Sequence, residues 1–541
     1  MNTTKSQTFV KGAAALALAG MISKVLGVVY VVPLQNMIGS YGMGLYQIAY
    51  NLYIIILYLA LAGFPLALSK AIAEHTVHGD YDGADQIFKI SLRLMAATGI
   101  TAFFLMFFGA PYFAVFFGDS NSELAIRALS FAILVVPLMA AFRGYLQGYQ
   151  NMTPSGISQV VEQFVRVAAI LIGTFFVLKW GYDVSFGAAT ATFGGMVGAL
   201  ASLLFVGYSV MKMRRGFRHK LTGRKVDNRW PMLRKLIAYA IPISLGTLVL
   251  PIAQLVDNAT VINLLKWIGV GQKEATESFG ILTNDGYRLI QLPVTLATAI
   301  GTSLLPAITE AVSSRNERLM QERINISFRL ISLTILPATA ILFVLADPID
   351  MMLFRHTEGA NVMRIVSFMG ILMSFEILTT YMLQGIGLMY LPVRNMLIGT
   401  GLKFLLNLSL IPLLGIEGAA LSASLAYLLS SWLNMRSVFR YTGVRVHLGL
   451  MLTRPLAATF LMGLFLWGSH LLFVTIFQDA IRSARLLATL ELALILPLGA
   501  VFYGVMTLVM GSVSQQEISY IPKIGPRLNR LLERYPWLIR Q

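Results

Sequence analysis

The chain has 541 residues, of which 57% are hydrophobic and 12% are charged. Soluble globular proteins carry about twice that charged fraction, and long apolar runs recur along the whole length, so the composition excludes a soluble domain with one anchor. The formal net charge is +17, yet the basic residues lie mainly in short loops between apolar runs, so nucleic-acid binding is not expected. The absence of cysteine excludes disulfides and thiol chemistry.

Fourteen apolar runs are long enough to cross a bilayer, which takes roughly 20 mostly apolar residues. They cover approximately residues 9–33, 43–69, 88–110, 124–148, 156–179, 185–211, 235–264, 278–309, 322–346, 361–388, 391–412, 417–440, 450–477 and 485–511. The first run is too long for a signal-peptide core and lacks a small-residue cleavage motif, so we expect it to remain as a spanning helix. The sequence therefore predicts an all-α polytopic membrane protein with about fourteen transmembrane helices.

The orientation of the spans follows from loop charge. Alternate loops are rich in lysine and arginine, and the loops between them are nearly free of basic residues. The basic segments are the N-terminus, the loops around 70–93, 212–235, 315–329 and 436–454, and the tail after 523. The positive-inside rule then places both termini in the cytoplasm. The tail alternates leucine with arginine, which is typical of an amphipathic segment on the inner membrane surface; a solvated tail without function fits equally well.

An internal repeat relates the two halves of the chain. Three matches occur in the same order at nearly the same offset: 44–74 over 280–310, which aligns Gly44 with Gly280 and Ile72 with Ile308; "LQGYQNMTP" (146–154) over "LQGIGLMYLP" (383–392); and "GAATA" (187–191) over "GAALSA" (418–423). Because each half has an even number of spans, the halves have parallel topology, and we expect a substrate path between them that suits alternating access.

The repeat predicts the domain organisation. The order is an N-lobe of spans 1–6 (1–211), a basic cytoplasmic linker (212–234), a C-lobe of spans 7–12 (235–440), spans 13 and 14 (441–511) and a cytoplasmic tail (512–541).

A few charges lie well inside predicted spans, where each costs roughly 2.5 to 3.5 kcal/mol and normally faces a bundle interior or a watery cavity. They are Lys24, Glu162, Arg166, Asp257, Asp285, Arg288, Glu376 and Lys403. The four cations, Lys24, Arg166, Arg288 and Lys403, fall at similar depth, two in each half. Such a set favours binding of an anion, and a phosphate or diphosphate suits lysine and arginine.

Structural interpretations of the same charges stay open. Glu162 and Arg166, four apart on one helix, can neutralise each other, as can Asp285 and Arg288. Glu376 can pair with Lys403 across neighbouring helices. Lys24 has no local carboxylate, so its structural interpretation is the weakest.

No enzyme motif accompanies these charges. The sequence contains no Walker motif, no H-E-x-x-H and no Cys/His metal cluster, and the six histidines are scattered. We therefore expect a protein that is not an enzyme and needs no cofactor, although spacing alone leaves a membrane-embedded enzyme open.

Two segments resemble the MurJ lipid II flippases. "SKVLG" (23–27) is similar to an S-R-V-L-G segment of that family, and "YRLIQLPVTLATAIGTSLLP" (287–306) is similar to its eighth span. The fourteen-helix plan resembles the multidrug/oligosaccharidyl-lipid/polysaccharide exporter superfamily, and the opening 45 residues or so from "FVKGAAALALAG" look most like its Gram-positive branch, which includes the stage V sporulation protein B group.

The resemblance implies roles for individual residues. Arg288 matches a cavity arginine of the family's eighth span, and Lys24 matches the arginine of S-R-V-L-G. The sequence also departs from the family pattern: Asn51 is followed by "LYIIILYLALAG" where the family has a basic pair, and Tyr30 or a neighbour stands where a further arginine is found. Our hypothesis is that Arg166 and Lys403 supply the missing positive charge, with Asp285, Glu162, Asp257, Glu376 and Asn51 as supporting or coupling residues.

The expected function is transfer of an undecaprenyl-diphosphate-linked precursor, lipid II, across a bacterial cytoplasmic membrane for peptidoglycan synthesis. The expected partners are the lipid-linked oligosaccharide, membrane lipids and cell-wall synthesis proteins, and Na⁺, H⁺ or the membrane potential is the expected drive. Three alternatives are a flippase for a teichoic, capsular or exopolysaccharide unit, a cation-coupled drug exporter in which Asp257 and Glu376 dominate, and a non-transporting scaffold.

Overall fold

The computed structural model describes residues 16–217 apart from 17, 24, 28 and 62, residues 234 and 237, and residues 251–444 and 452–512. Within these ranges the regular structure is helical and contains no strand, which confirms the predicted all-α class. Lys24, most of the predicted linker, the tail beyond 512 and parts of the predicted spans 1, 7 and 13 lie outside the described residues.

The helices follow one another with short connections. In chain order they are α1 (Val31–Leu61), α2 (Phe64–Val77), α3 (Tyr81–Phe116), α4 (Glu123–Gly148), α5 (Thr153–Lys179), α6 (Val184–Phe217), α7 (251–267), α8 (Gln272–Ile281), α9 (Arg288–Ser313), α10 (Glu317–Val344), α11 (Ala346–Phe354), α12 (Ala360–Gly385), α13 (Tyr390–Leu414), α14 (Ile416–Thr442), α15 (Arg454–Phe477) and α16 (Ala484–Val509). A π-helical turn, Leu282–Tyr287, joins α8 to α9.

Eleven helical stretches among the described residues have the length and apolar composition of a membrane span. The first, Leu18–Val77, has 60 residues, and at 1.5 Å per residue it is about 90 Å long, far more than one crossing of a hydrocarbon core of about 30 Å. Gly39 and Gly63 interrupt it with φ angles of 67° and 66°, which glycine adopts without strain. The described part of α7 and the serine-rich α14 lie in predicted spans and are helical, but they are not among these eleven stretches.

The chain divides into two compact units, an N-terminal unit of residues 1–280 and a C-terminal unit of residues 281–541. The predicted lobe boundaries at 211 and 235 stay a prediction. α8 packs within the N-terminal unit because Asp119, buried after α3, accepts hydrogen bonds from Gln272 (2.7 Å) and Thr276 (2.7 Å). α15 and α16 pack within the C-terminal unit, against α10 and α11 respectively.

Equivalent contacts occur in both units, as the repeat predicts. In the N-terminal unit, a Cβ added at Gly148 would lie 2.7 Å from Cβ of Ile72 and 2.9 Å from the carbonyl oxygen of Ser69. In the C-terminal unit, a Cβ at Gly385 would lie 2.9 Å from Cβ of Ile308 and 3.2 Å from the carbonyl oxygen of Leu305. The "LQG" glycine of each half therefore lets its helix approach the same position of the preceding repeat helix.

The glycines that the repeat aligns at its start also approach each other directly. A Cβ at Gly44 would lie 2.2 Å from the carbonyl oxygen of Thr276, and one at Gly280 would lie 2.0 Å from the carbonyl oxygen of Ser40 and 2.9 Å from the amide nitrogen of Gly44. α1 and α8 are therefore in backbone-to-backbone contact, which a side chain at either position would prevent.

Candidate functional site

Two of the predicted cations, Lys403 and Arg288, belong to the C-terminal unit. Lys403, on α13, is 5% exposed, and its Nζ lies 5.6 Å from the ring centroid of Tyr287. The next residue, Arg288, is half-buried and begins α9. A cation over an aromatic face gains about 2 kcal/mol when it is desolvated, so the tyrosine helps to hold the ammonium group in this buried position.

The π-helical turn determines how α9 begins. It includes Asn284 and Asp285, both fully buried, and Gly286, where a Cβ would lie 3.0 Å from Val362 of α12. π-Turns are rare and occur frequently at functional sites, because the extra residue per turn redirects the side chains next to it. This turn therefore sets the direction in which the Arg288 side chain extends from the N-terminal end of α9.

Asp285 lies close to a histidine from the loop between α11 and α12. Nε2 of His356 is 3.6 Å from its Oδ2, and Nδ1 of His356 is 3.5 Å from Oδ2 of Asp350. The carboxylate of Asp350, followed by that of Asp285, raises the pKa of His356 above its ordinary value, against the opposing effect of partial burial.

Glu376 does not pair with Lys403, contrary to one of the expectations. Its Oε1 accepts hydrogen bonds from Thr380 (2.9 Å) and from Asn434 of α14 (3.4 Å), and Asn434 in turn accepts from Asn395 of α13 (2.8 Å). The carboxylate therefore belongs to a polar network that joins α12, α13 and α14. Sequence spacing cannot show this network, since Asn434 lies 58 positions from Glu376 and 39 positions from Asn395.

In the N-terminal unit Glu162 and Arg166 do form the expected pair, but with an additional partner. Arg166 donates to Oε1 of Glu162 at 2.8 Å, and Arg143 of α4 donates to Oε2, also at 2.8 Å. Arg143 further donates to Ser158 and to Ser202 of α6, each at 2.8 Å. The group, hereafter the Arg143 cluster, holds three helices together and carries one surplus positive charge. Arg143 was missed because it lies near the end of a predicted span with no partner close in sequence.

Asn51 belongs to an amide ladder between α1 and α7. Gln47 donates to its side-chain oxygen at 2.6 Å, its own amide donates to Asn258 at 2.7 Å, and Asn258 donates to the carbonyl of Ile48 at 3.0 Å. All three amide side chains are buried, and Asp257, the neighbour of Asn258, is also buried. These contacts give Asn51 a structural function in joining two helices within the N-terminal unit.

A family model described as polysaccharide biosynthesis protein matches residues 9–312, which is more than half of the chain. The protein belongs to this family.

Two relatives from Bacillus subtilis (strain 168) extend the match. The chain is 33% identical over 457 residues to a protein named lipid II flippase MurJ, covering 81% of this chain and 84% of that protein. It is 29% identical over 447 residues to stage V sporulation protein B, covering 81% of this chain and 85% of that one.

A solved structure of the lipid II flippase MurJ in an inward closed conformation superimposes with a TM-score of 0.67 at 16% identity, covering 91% of this chain and 98% of that one. At this identity the likeness shows the fold alone. Together with the sequence relatives it confirms the predicted resemblance to the MurJ and stage V sporulation protein B branch of the exporter superfamily.

Within this polysaccharide biosynthesis family, the departures noted in the sequence have a structural counterpart. Tyr30 is buried, and its hydroxyl lies 2.9 Å from that of Tyr46; Tyr46 stacks with Tyr50 at 5.9 Å, and Tyr50 lies 6.2 Å from Tyr53. Near the positions where the resemblance implies basic residues, the chain therefore carries a group of tyrosines. The Arg143 cluster supplies positive charge from other helices of the same unit.

Proposed function

We propose that the chain flips an undecaprenyl-diphosphate-linked cell-wall precursor, lipid II, from the inner to the outer leaflet of a bacterial cytoplasmic membrane by alternating access. The observation that carries the proposal is the 33% identity, over 81% of this chain, to the lipid II flippase MurJ of Bacillus subtilis. Flipping forms and breaks no covalent bond, which agrees with a sequence that offers no enzyme motif. In this proposal the protein is a transporter with both termini in the cytoplasm.

The two cations of the C-terminal unit, buried Lys403 and half-buried Arg288, support an anionic cargo. The Nζ of Lys403 lies over the ring of Tyr287, and Arg288 is the next residue after that tyrosine along the chain. An ionised side chain at membrane depth costs roughly 2.5 to 3.5 kcal/mol on insertion scales, so it is retained where it has a function. Arginine binds phosphate oxygens through two parallel N–H donors and lysine acts as a point charge, a combination that suits a diphosphate.

The N-terminal unit contributes in a different way. Because Glu162 accepts from both Arg143 and Arg166, the Arg143 cluster has one surplus positive charge rather than two free cations. We assign to it a long-range attraction for the headgroup, and we assign direct contact with the diphosphate to Arg288, Lys403 and, by resemblance, Lys24.

The membrane potential can drive the return of the empty transporter. One charge that crosses a potential of 100 mV gains about 2.3 kcal/mol, and a site with net positive charge is drawn inward once the anionic cargo has left. Turnover in proteoliposomes should therefore slow when the potential is collapsed at constant pH gradient. Unchanged turnover would remove the potential from the mechanism and leave Na⁺ or H⁺ coupling.

A second candidate is a flippase for another polyprenyl-linked glycan, such as a teichoic acid or exopolysaccharide unit. The description of the matching family as polysaccharide biosynthesis protein favours it specifically. The diphosphate argument applies equally, since the two cargoes differ in the sugar. A drug exporter is less favoured because Glu376, one of the two carboxylates it would depend on, is held by Thr380 and Asn434.

The test is the pool of lipid-linked precursors, measured by mass spectrometry in cells whose only copy carries Arg288→Ala. We expect lipid II to accumulate on the inner leaflet, and Arg288→Lys to restore part of the flow because it keeps the charge. Arg318→Ala is the matched control, since Arg318 is an exposed arginine at the start of α10. A normal lipid II pool with accumulation of a different polyprenyl-linked glycan would establish the second candidate, and normal pools of both would refute the anion-binding function of Arg288.

A further inference from the structure

Three side chains that can bind a metal converge near the N-terminal end of α9. Asp285 comes from the π-helical turn, Asp350 from α11 and His356 from the loop that follows α11. One ligand atom from each lies within 4.8 Å of the other two. Both aspartates are fully buried, whereas the His356 side chain is 24% exposed, so an ion can enter from solvent past the imidazole.

The distances in this cluster are longer than those of hydrogen bonds. Nε2 of His356 is 3.6 Å from Oδ2 of Asp285, and Nδ1 is 3.5 Å from Oδ2 of Asp350, beyond the usual 2.7 to 3.2 Å of an N–H···O bond. Zinc bonds of about 2.0 to 2.2 Å in a tetrahedral arrangement place neighbouring ligand atoms roughly 3.3 to 3.6 Å apart. One ion binds only one nitrogen of an imidazole, so one of these two spacings, that from the ligating nitrogen to its aspartate, matches an edge of a coordination polyhedron.

A second observation concerns the free oxygen of Asp350. Its Oδ2 accepts a hydrogen bond from the backbone N–H of Gly359 at 2.9 Å, while its Oδ1 is buried and accepts no hydrogen bond from the described residues. A Cβ added at Gly359 would lie 3.1 Å from this Oδ1 and 2.7 Å from Oδ2 of Asp285. The two oxygens thus converge on one space, and that space stays open because residue 359 has no side chain.

The charge of the two aspartates suits a divalent ion in this space. Both carboxylates are fully buried, and a buried charge is costly unless it is paired or coordinates a metal. A divalent cation bound by both carboxylates would match their two negative charges.

We propose that Asp285, Asp350 and His356 form a binding site for a divalent transition-metal ion of the Zn²⁺ class. Imidazole with two carboxylates suits zinc and its neighbours, whereas Ca²⁺ takes six to eight oxygen ligands. The local structure prepares the histidine: Arg355 turns the chain with a φ of 67°, and the imidazole stacks on Phe354 at 6.1 Å. A bound ion would fix the turn that precedes Arg288. The site is independent of the cargo proposed above.

The test uses the purified full-length chain with a tag free of histidine, stripped with a chelator and dialysed against Zn²⁺ in excess Ca²⁺ and Mg²⁺. We expect one Zn²⁺ per chain by elemental analysis, and a visible absorption band when Co²⁺ replaces it. Asp350→Asn and His356→Gln should each weaken binding at least about 100-fold, because loss of an outer-shell partner alone costs 10- to 100-fold. The control is His470→Gln, which removes a histidine that contacts one carboxylate, Glu491, at 2.5 Å.

The outcomes separate the alternatives. Loss of binding in both cluster variants and retention in His470→Gln supports the site, with circular dichroism and gel filtration showing that the variants fold; if Asp350→Asn does not fold, His356→Gln decides alone. Equal Zn²⁺ binding by the wild type and His356→Gln overturns the proposal, as does displacement by Ca²⁺ or equal loss in His470→Gln.

Discussion

Glu162 lies between two arginines inside the membrane, and replacing it with glutamine should destabilise the protein far more than an ordinary surface change. The side chains of Glu162, Arg143 and Arg166 are 10%, 15% and 18% exposed, and both contacts are 2.8 Å long. Breaking a buried ion pair by neutralising one partner costs about 3 to 5 kcal/mol. Glutamine keeps the shape and can accept one hydrogen bond, so we expect a loss near the lower end of that range.

The chain contains its own control for this change. Glu123 and Arg127 form a pair with the same spacing of four residues and the same 2.8 Å distance, but their side chains are 32% and 43% exposed. Glu123→Gln should therefore cost only about 0.3 to 0.5 kcal/mol. Equilibrium unfolding in mixed micelles with increasing SDS, followed by circular dichroism, measures both variants on one scale.

The double variant Glu162→Gln with Arg166→Gln tests the cause. Glu162→Gln raises the surplus charge of the Arg143 cluster from one to two, and the second substitution returns it to one. If uncompensated charge causes the loss, the double variant should be more stable than Glu162→Gln alone. A Glu162→Gln variant no less stable than Glu123→Gln would refute the reasoning, because burial would then have no influence on the value of the pair.

Two further predictions concern local structure. Gly44→Ala should destabilise the chain by about 1 to 3 kcal/mol, because the new methyl group meets the carbonyl of Thr276 at 2.2 Å, whereas Gly401→Ala, with no heavy atom within 4 Å, should be tolerated in the same unfolding assay. Asp183 caps α6: the N–H of Val184 and the groups of Ser185 lower the pKa of its carboxyl. A carboxyl whose pKa is lowered in the folded state contributes stability above its unfolded pKa of about 3.9, and this stability is lost as pH falls through the folded pKa. Asp183→Asn should therefore cost stability at neutral pH and little at pH about 2. An equal effect at both pH values would contradict the assignment.

Sequence patterns predicted the features that depend on local composition. Apolar length located the helices, and the spacing of Glu162 and Arg166 made their ion pair one of the open interpretations, which the structure contains. The repeat alignment paired Ile72 with Ile308, and the two isoleucines do meet equivalent glycines. Each of these signals is contained in a short stretch of chain or in the comparison of two stretches.

Contacts between distant segments could not be predicted in the same way. Arg143 reaches partners 19 and 59 positions away, and the ligands Asp285 and Asp350 are separated by two full helices. Pairing of Glu376 with Lys403, one of the possibilities that opposite charge suggested, is replaced in the structure by hydroxyl and amide donors that satisfy the carboxylate. Such partners depend on how helices pack, and a single sequence does not contain that information.

The π-helical turn before α9 has a consequence for how this site can change in evolution. An α-helix rotates by about 100° per residue, and a π-turn contains one residue more than the α-helical turn it replaces. Losing one residue between Leu282 and Tyr287 would restore the regular helix and rotate everything before the turn by about 100° relative to Arg288. Insertion or deletion of a single codon, without any substitution, is therefore the mutational step that can most easily separate Asp285 from Arg288 and redirect the charged end of this helix.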